Sequence, residues 1–117
     1  SAADCARSRM CELGGQCAFV SGSCTATGAA MCRASSGCAL HGACGFEALG
    51  NGQGRCNVSD ARDCSLSRDC KIKGYCRPLS VPGTSRMRCG AGHDDDCRQS
   101  LVCETARRCR ASEGSCI

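Results

Sequence analysis

Ordinary core-forming side chains are thinly scattered along this chain, with two Phe, one Tyr, no Trp and few Leu, Ile or Val. What recurs at fixed spacing is cysteine. Four sets each open C-x5-C-x5-C, close on a fourth Cys after 6, 11, 12 or 6 residues, and are joined by seven-residue linkers (TATGAAM, NVSDARD, GAGHDDD). Such self-similarity is the mark of tandem units. Other positions keep the same register. Three residues after each first Cys stands Ser8, Ser35, Ser67 or Ser100. Before the first Cys stands Asp4, Asp63 or Asp96, with Met31 departing. Four after the second Cys stands Gly15, Gly42 or Gly74, with Arg107 departing. Two after the second Cys the sequence has Leu13, Leu40 and Ile72, with Thr105 in the fourth set.

Asp accepts backbone N–H groups at a helix start and complements the dipole there. Gly takes the left-handed conformation that ends a helix. About ten residues lie between them, so each unit is predicted to open with a short helix capped by its Asp. Leu13, Leu40, Ile72 and Thr105 are its expected inward positions. The recurring Ser is expected to bond back to a backbone carbonyl or to serve as a small neighbour of a disulfide. After the third Cys come Ser21-Gly22, Asn51-Gly52, Pro82-Gly83 and Glu113-Gly114. These turn signals predict an irregular β-hairpin that returns to the fourth Cys, with a length that varies at the surface. The expected fold class is small and disulfide-rich: four tandem repeats, 1–31, 32–63, 64–96 and 97–117, each a short helix plus an irregular β-hairpin. Units that touch mainly their neighbours make an elongated array. The first and last residues fall near repeat boundaries, as expected of a piece of a longer array.

Composition adds the compartment. Sixteen cysteines in 117 residues far exceed the roughly 8–10% that marks disulfide scaffolds, and the even count fits complete pairing. Small chains with weak cores are stapled in this way in oxidising compartments, so a secreted, extracellular or cell-surface location is expected. No apolar run approaches the roughly 18 residues of a membrane span. The net charge of +4 lies wholly in residues 64–117. The sequence pI near 8.4 rises once the thiols, which titrate near about 8.5, are oxidised.

The pairing itself stays open at this level. In a continuous helix Cys64 and Cys70 would sit about 9 Å apart along the axis, beyond the roughly 7 Å reach of a disulfide. First–third with second–fourth, first–fourth with second–third, and bonds across the linkers remain. Two resemblances bear on this. The tandem D-C-x2-S-x2-C-x3-G-x-C pattern resembles cysteine-rich repeats of extracellular bacterial proteins, particularly myxobacterial ones, and that family carries no activity over. Cys64, Cys70 and Cys76 also resemble the C-x5-C-x5-C segment of whey-acidic-protein, four-disulfide-core domains. This second likeness covers part of each repeat and lacks the family's adjacent Cys-Cys pair. It implies that first pairs with third and second with fourth: Cys64–Cys76 and Cys70–Cys89. In register it gives Cys5–Cys17 with Cys11–Cys24, Cys32–Cys44 with Cys38–Cys56, and Cys97–Cys109 with Cys103–Cys116.

Sites with chemistry are few. All cysteine gaps are five residues or longer and only two His occur. Zinc-type C-x2–4-C spacing, the C-x-x-C of thiol redox enzymes and the haem motif are therefore missing. His93-Asp94-Asp95-Asp96 groups carboxylates of the kind calcium favours but without an EF-hand loop; it reads as a solvated acidic helix start capped by Asp96. The serines recur with the scaffold and no base recurs with them, so no enzyme activity, catalytic residue, metal or cofactor is expected. The basic residues Arg68, Lys71, Lys73, Arg77, Arg86, Arg88, Arg107, Arg108 and Arg110 form the candidate surface for an anionic partner, against the alternative of scattered solubilising charge. Nucleic acid is not expected, because stacking aromatics are nearly absent. Phe19, Phe46 and Tyr75 lie near third cysteines and are expected to cover disulfides. Asn57-Val58-Ser59 fits a glycosylation sequon.

The resulting expectation is a structural, adhesive or binding module, part of a larger surface assembly, whose partner is an extracellular protein or an anionic polysaccharide. The rival is a protease inhibitor or toxin-like secreted ligand presenting Arg86 or Arg88 from a variable loop. A metal-handling protein is a third reading.

Overall fold

The computed structural model describes residues 1–117. The same order of elements occurs four times: two short helices, then a two-stranded antiparallel hairpin. The first unit has α1 (Ala2–Ala6), α2 (Arg9–Gly14), β1 (Ala18–Val20) and β2 (Ser23–Thr25). The second has α3 (Ala29–Arg33), α4 (Ser36–His41), β3 (Gly45–Gly50) and β4 (Gln53–Asn57). The third has α5 (Ala61–Leu66), α6 (Arg68–Lys73), β5 (Arg77–Ser80) and β6 (Met87–Gly90). The fourth has α7 (Asp94–Arg98), α8 (Leu101–Ala106), β7 (Ala111–Ser112) and β8 (Ser115–Cys116). No helix is long and apolar enough to cross a membrane.

The single helix expected in each unit is two helices, because the recurring serine breaks it. Ser8, Ser35, Ser67 and Ser100 each donate to the carbonyl of the first Cys, at 2.8, 2.7, 2.7 and 2.6 Å. Each hydroxyl also accepts the amide of the second Cys, at 3.1, 3.2, 3.1 and 3.4 Å. One side chain thus closes the first helix and caps the second from an extended backbone. The bond back to a carbonyl was the expected one; the new helix start was not. Asp4, Asp63 and Asp96 are not N-caps either. They occupy the third helical position, behind Ser1, Asp60 and His93.

Helices of five or six residues do not persist alone in water, and no leucine core supports them. Leu13 is 46% exposed, Thr105 is exposed, and Leu40 and Ile72 are half-buried, so the expected inward row does not form. Sulfur fills the interior instead. Cys5, Cys32, Cys64 and Cys97 are fully buried.

The disulfides correct the pairing implied by the four-disulfide-core resemblance. Cys5–Cys17, Cys11–Cys24, Cys32–Cys44, Cys38–Cys56, Cys64–Cys76, Cys70–Cys89, Cys97–Cys109 and Cys103–Cys116 are not formed. First joins fourth, as Cys5–Cys24, Cys32–Cys56, Cys64–Cys89 and Cys97–Cys116. Second joins third, as Cys11–Cys17, Cys38–Cys44, Cys70–Cys76 and Cys103–Cys109. The physical reason is the left-handed residue between the second and third cysteines. Gly15, Gly42 and Gly74, with φ of 72°, 75° and 79°, and Arg107, with φ of 57°, reverse the chain. The third Cα returns to within 4.4–4.6 Å of the second. No bond crosses between sets.

The hairpins come out where the turn residues placed them. Both central residues have positive φ at Ser21-Gly22, Asn51-Gly52 and Glu113-Gly114, and Gly83 alone does in the third unit. In each hairpin the fourth Cys pairs across the strands, opposite Phe19, Phe46, Pro78 and Ala111.

Successive units dock by one recurring contact. A Cβ built at Gly15, Gly42 or Gly74 would lie 2.8, 2.5 or 2.5 Å from the Sγ of Cys56, Cys89 or Cys116 in the next unit. Glycine is therefore required there for contact as well as for φ. The second residue of each linker joins the same seam: Ala26, Val58 and Ala91 are buried. Val58 packs on Cys64 and Cys89, and Ala91 on Cys97 and Cys116. The amides of Ala26 and Ala91 donate to Gly54 and Gly114 of the following hairpin at 3.2 and 2.9 Å. The body measures 47 × 27 × 19 Å with a radius of gyration of 15.5 Å, against about 13 Å for a compact domain of this length, so it is somewhat extended.

Candidate anionic-partner surface

The nine basic candidates divide by what holds them. Arg77, just after the third Cys of its unit, is committed to the frame. Its Nε and Nη2 donate to Asp96 at 2.7 and 2.9 Å, a two-pronged pair across the boundary between the third and fourth units. Burial alone would raise the Asp96 pKa, but the Arg77 hydrogen bonds, the amides of Gly92 and His93, and the Arg77 charge together hold it below the ordinary carboxylate range. The Asp96 hydrogen bond in turn raises the Arg77 pKa. Arg77 is an inter-unit strut. Of the nine candidates it is the one paired with a buried carboxylate.

Arg68 and Lys71 project from α6 into solvent, and Arg107 and Arg110 are exposed in the fourth unit. None of these four lines a cavity with the others. The remaining four gather around Tyr75. The Lys73 ammonium and the Arg88 guanidinium each lie 5.8 Å from the ring centroid, within cation–π range. Arg86 and Arg88 border a cavity of about 290 Å³ that Tyr75 also lines. Lys73 and Arg108 border a second of about 250 Å³, again with Tyr75.

Tyr75 covers disulfides as expected, packing on both Cys64–Cys89 and Cys97–Cys116 from its place between two units. Phe19 instead leaves 46% of its surface exposed, while the Phe46 ring lies over Gly54. Tyr75 was legible as a disulfide cover. Its second role, gathering the cations, was not, because the register of the repeats gives no hint that Lys73, Arg88 and Arg108 converge.

The other sequence candidates have local partners. At His93-Asp94-Asp95-Asp96, Arg98 pairs with Asp95 at 2.6 Å and Asp94 at 3.9 Å, and Asp94 accepts the Ala111 amide at 2.8 Å. Only Asp94 and Asp95 are the solvated carboxylates expected; Asp96 is buried. His41 Nδ1 lies 2.6 Å from Asp69, tying α4 to α6. All sixteen cysteines are in disulfides, which leaves no thiolate to bind metal or exchange. The Asn57 amide is held by Glu47 at 3.0 Å.

No family model matches the chain, and comparison with curated proteins and with solved structures returns no match. The likeness in cysteine spacing to four-disulfide-core domains is therefore accompanied neither by a family match nor by a shared pairing.

Proposed function

We propose that this is a secreted or cell-surface, non-enzymatic module of four tandem repeats, whose disulfide frame holds a cationic face for an anionic extracellular partner. Eight disulfides are compatible with an oxidising, extracellular setting. The observation that carries the reading is the placement of four cations in cavities that share Tyr75, Arg86 and Arg88 at the junction of the second and third units and Lys73 and Arg108 at the junction of the third and fourth. Among these only Lys73 has a carboxylate in ion-pair range, Asp69 at 4.0 Å. Fixed units repeated along a stiff body let several weak contacts act together. The test is retention on an immobilised polyanionic polysaccharide as salt is raised. The native protein should elute at higher salt than the same chain reduced and carboxamidomethylated, which has equal side-chain charge but no frame. Equal elution would mean that charge alone binds and would defeat the proposal.

A further inference from the structure

Tyr75 borders two cavities, which together are the candidate groove. Arg86, Arg88 and Met87 line the first, about 290 Å³ between the second and third units; Lys73, Arg108 and Val102 line the second, about 250 Å³ between the third and fourth. The ring is set in place by the two disulfides it packs on, so little rotamer freedom is lost when something is laid against it. Arg86, Arg88 and Arg108 have no carboxylate in ion-pair range, whereas most other charged groups near the unit boundaries do. Asp69 also borders the larger cavity, 2.6 Å from His41 and 4.0 Å from Lys73, and the four cations of the two cavities outnumber this one carboxylate.

We infer that this groove binds a run of anionic sugar residues across Tyr75. One ring lies on each side of the phenol, with carboxylate or sulfate groups at Arg86 and Arg88 on one side and at Lys73 and Arg108 on the other. The inference rests on the proposed function and names its ligand class. Each cavity is at or below the small end of ligand sites, suited to about one ring. Hydrogen-bonding guanidinium groups on both sides of an aromatic plate fit a chain that alternates flat C–H faces with fixed negative groups. A nucleic acid would need successive stacking platforms, but Phe19 and Phe46 stand in other units. An acidic peptide offers charge without a ring to lay on Tyr75.

The experiment uses the oxidised full chain with three probes: polygalacturonate oligosaccharides of defined length, sulfated dextran oligomers and poly-glutamate, with neutral dextran as blank. The first two separate carboxylate from sulfate as the anion. NMR shifts should cluster on Tyr75 and its neighbours for an anionic saccharide. Arg88→Gln with Arg108→Gln should weaken binding by about tenfold or more, the loss of one to two charge-assisted hydrogen bonds. Arg68→Gln with Lys71→Gln, the same charge change outside the groove, should weaken it by no more than about twofold. Equal losses from the two pairs would overturn the inference in favour of diffuse attraction. So would poly-glutamate shifting the same resonances at comparable affinity. If no oligomer moves Tyr75 while the native chain still outlasts the reduced one on the polyanion matrix, the groove is refuted and the proposed function stands.

Discussion

Replacing Gly74 by alanine should loosen the fourth unit from the third while both stay stapled. Two terms act at this position. A left-handed non-glycine residue costs about 1–2 kcal/mol, wherever its unit sits. The added methyl would also lie 2.5 Å from Cys116 Sγ, 3.0 Å from the Asp96 carbonyl oxygen and 3.1 Å from Cys97 Cα, where contacts of about 3.5–4.0 Å are comfortable. Relieving that overlap requires a shift of about an ångström, in the range of overpacking costs of about 1–3 kcal/mol, and it is felt only when the units are docked. The assay is native-state amide exchange. Ala91 N–H bonds to Gly114 across this seam at 2.9 Å, and Ala26 N–H bonds to Gly54 across the first seam at 3.2 Å. Ala91 protection should fall by roughly 5- to 150-fold, the overlap term alone, while Ala26 keeps its protection. Arg107 supplies the control, since it holds the same left-handed turn with φ of 57° and an exposed side chain. Arg107→Gly should relieve strain of about 1 kcal/mol and leave Ala91 exchange unchanged. Equal changes at Ala91 and Ala26 in Gly74→Ala, or none at either, would refute docking through the glycine.

Acid should open the same seam. The folded Asp96 pKa is depressed, so its stabilisation is present above the unfolded value of about 3.9 and is lost as pH falls below that through the folded pKa. Ala91 protection should therefore decline below about pH 4 in the native chain, and Arg77→Gln should reduce that decline. The two disulfide classes should also differ. Removing Cys70–Cys76, with a separation of 6, frees a loop worth roughly 2–2.5 kcal/mol, whereas Cys64–Cys89, with a separation of 25, is worth roughly 3.5 kcal/mol by loop closure alone. Urea unfolding of the double-serine variants would measure the gap, which widens further because Cys64 and Cys89 are both buried whereas of the other pair only Cys70 is, and polar replacements are costly in buried sites. Peptide mapping of the unreduced protein should recover Cys70 joined to Cys76; Cys70 joined to Cys89 would restore the four-disulfide-core pairing. Ser67→Ala removes a hydroxyl that is 1% exposed and bonded on both sides, and should cost about 1–2 kcal/mol in the same unfolding measurement.

Spacing made the staples, the hairpin turns and the left-handed glycines legible, because each is a local demand on one or two residues. The helix break was written in the sequence as well, at Ser8 and its counterparts, but a serine that can bond back to a carbonyl does not say whether the helix continues past it. The missed break carried the pairing with it. A straight ten-residue helix rules first–second out without favouring either remaining pattern, whereas a reversal at Gly74 brings Cys76 straight back to Cys70. The docking seam is marked in the sequence as well. The second linker residue is Ala26, Val58 or Ala91, small or branched and apolar in every linker, as a buried contact requires. The gathering of Lys73, Arg86, Arg88 and Arg108 around Tyr75 had no such signal, because it depends on how the third unit docks against both the second and the fourth.

Arg107 shows how this frame lets charge be placed. In the other three units the left-handed position presses on a neighbouring disulfide, and only hydrogen fits. In the fourth, an exposed arginine holds the same turn at a strain cost of about 1–2 kcal/mol. With Arg108 and Arg110 it adds three positive charges to one end of the body. A chain whose interior is leucine must spend much of its sequence on packing. Here the buried set is largely cysteine, serine and alanine, repeated in register. The positions between are therefore free to vary without weakening the frame. Residues 1–63 leave them electrically balanced, while residues 64–117 hold the whole net charge of +4. The uneven charge on an even scaffold gathers the excess of cations in the third and fourth units rather than along the full 47 Å, and that concentration is what the proposed cationic face requires.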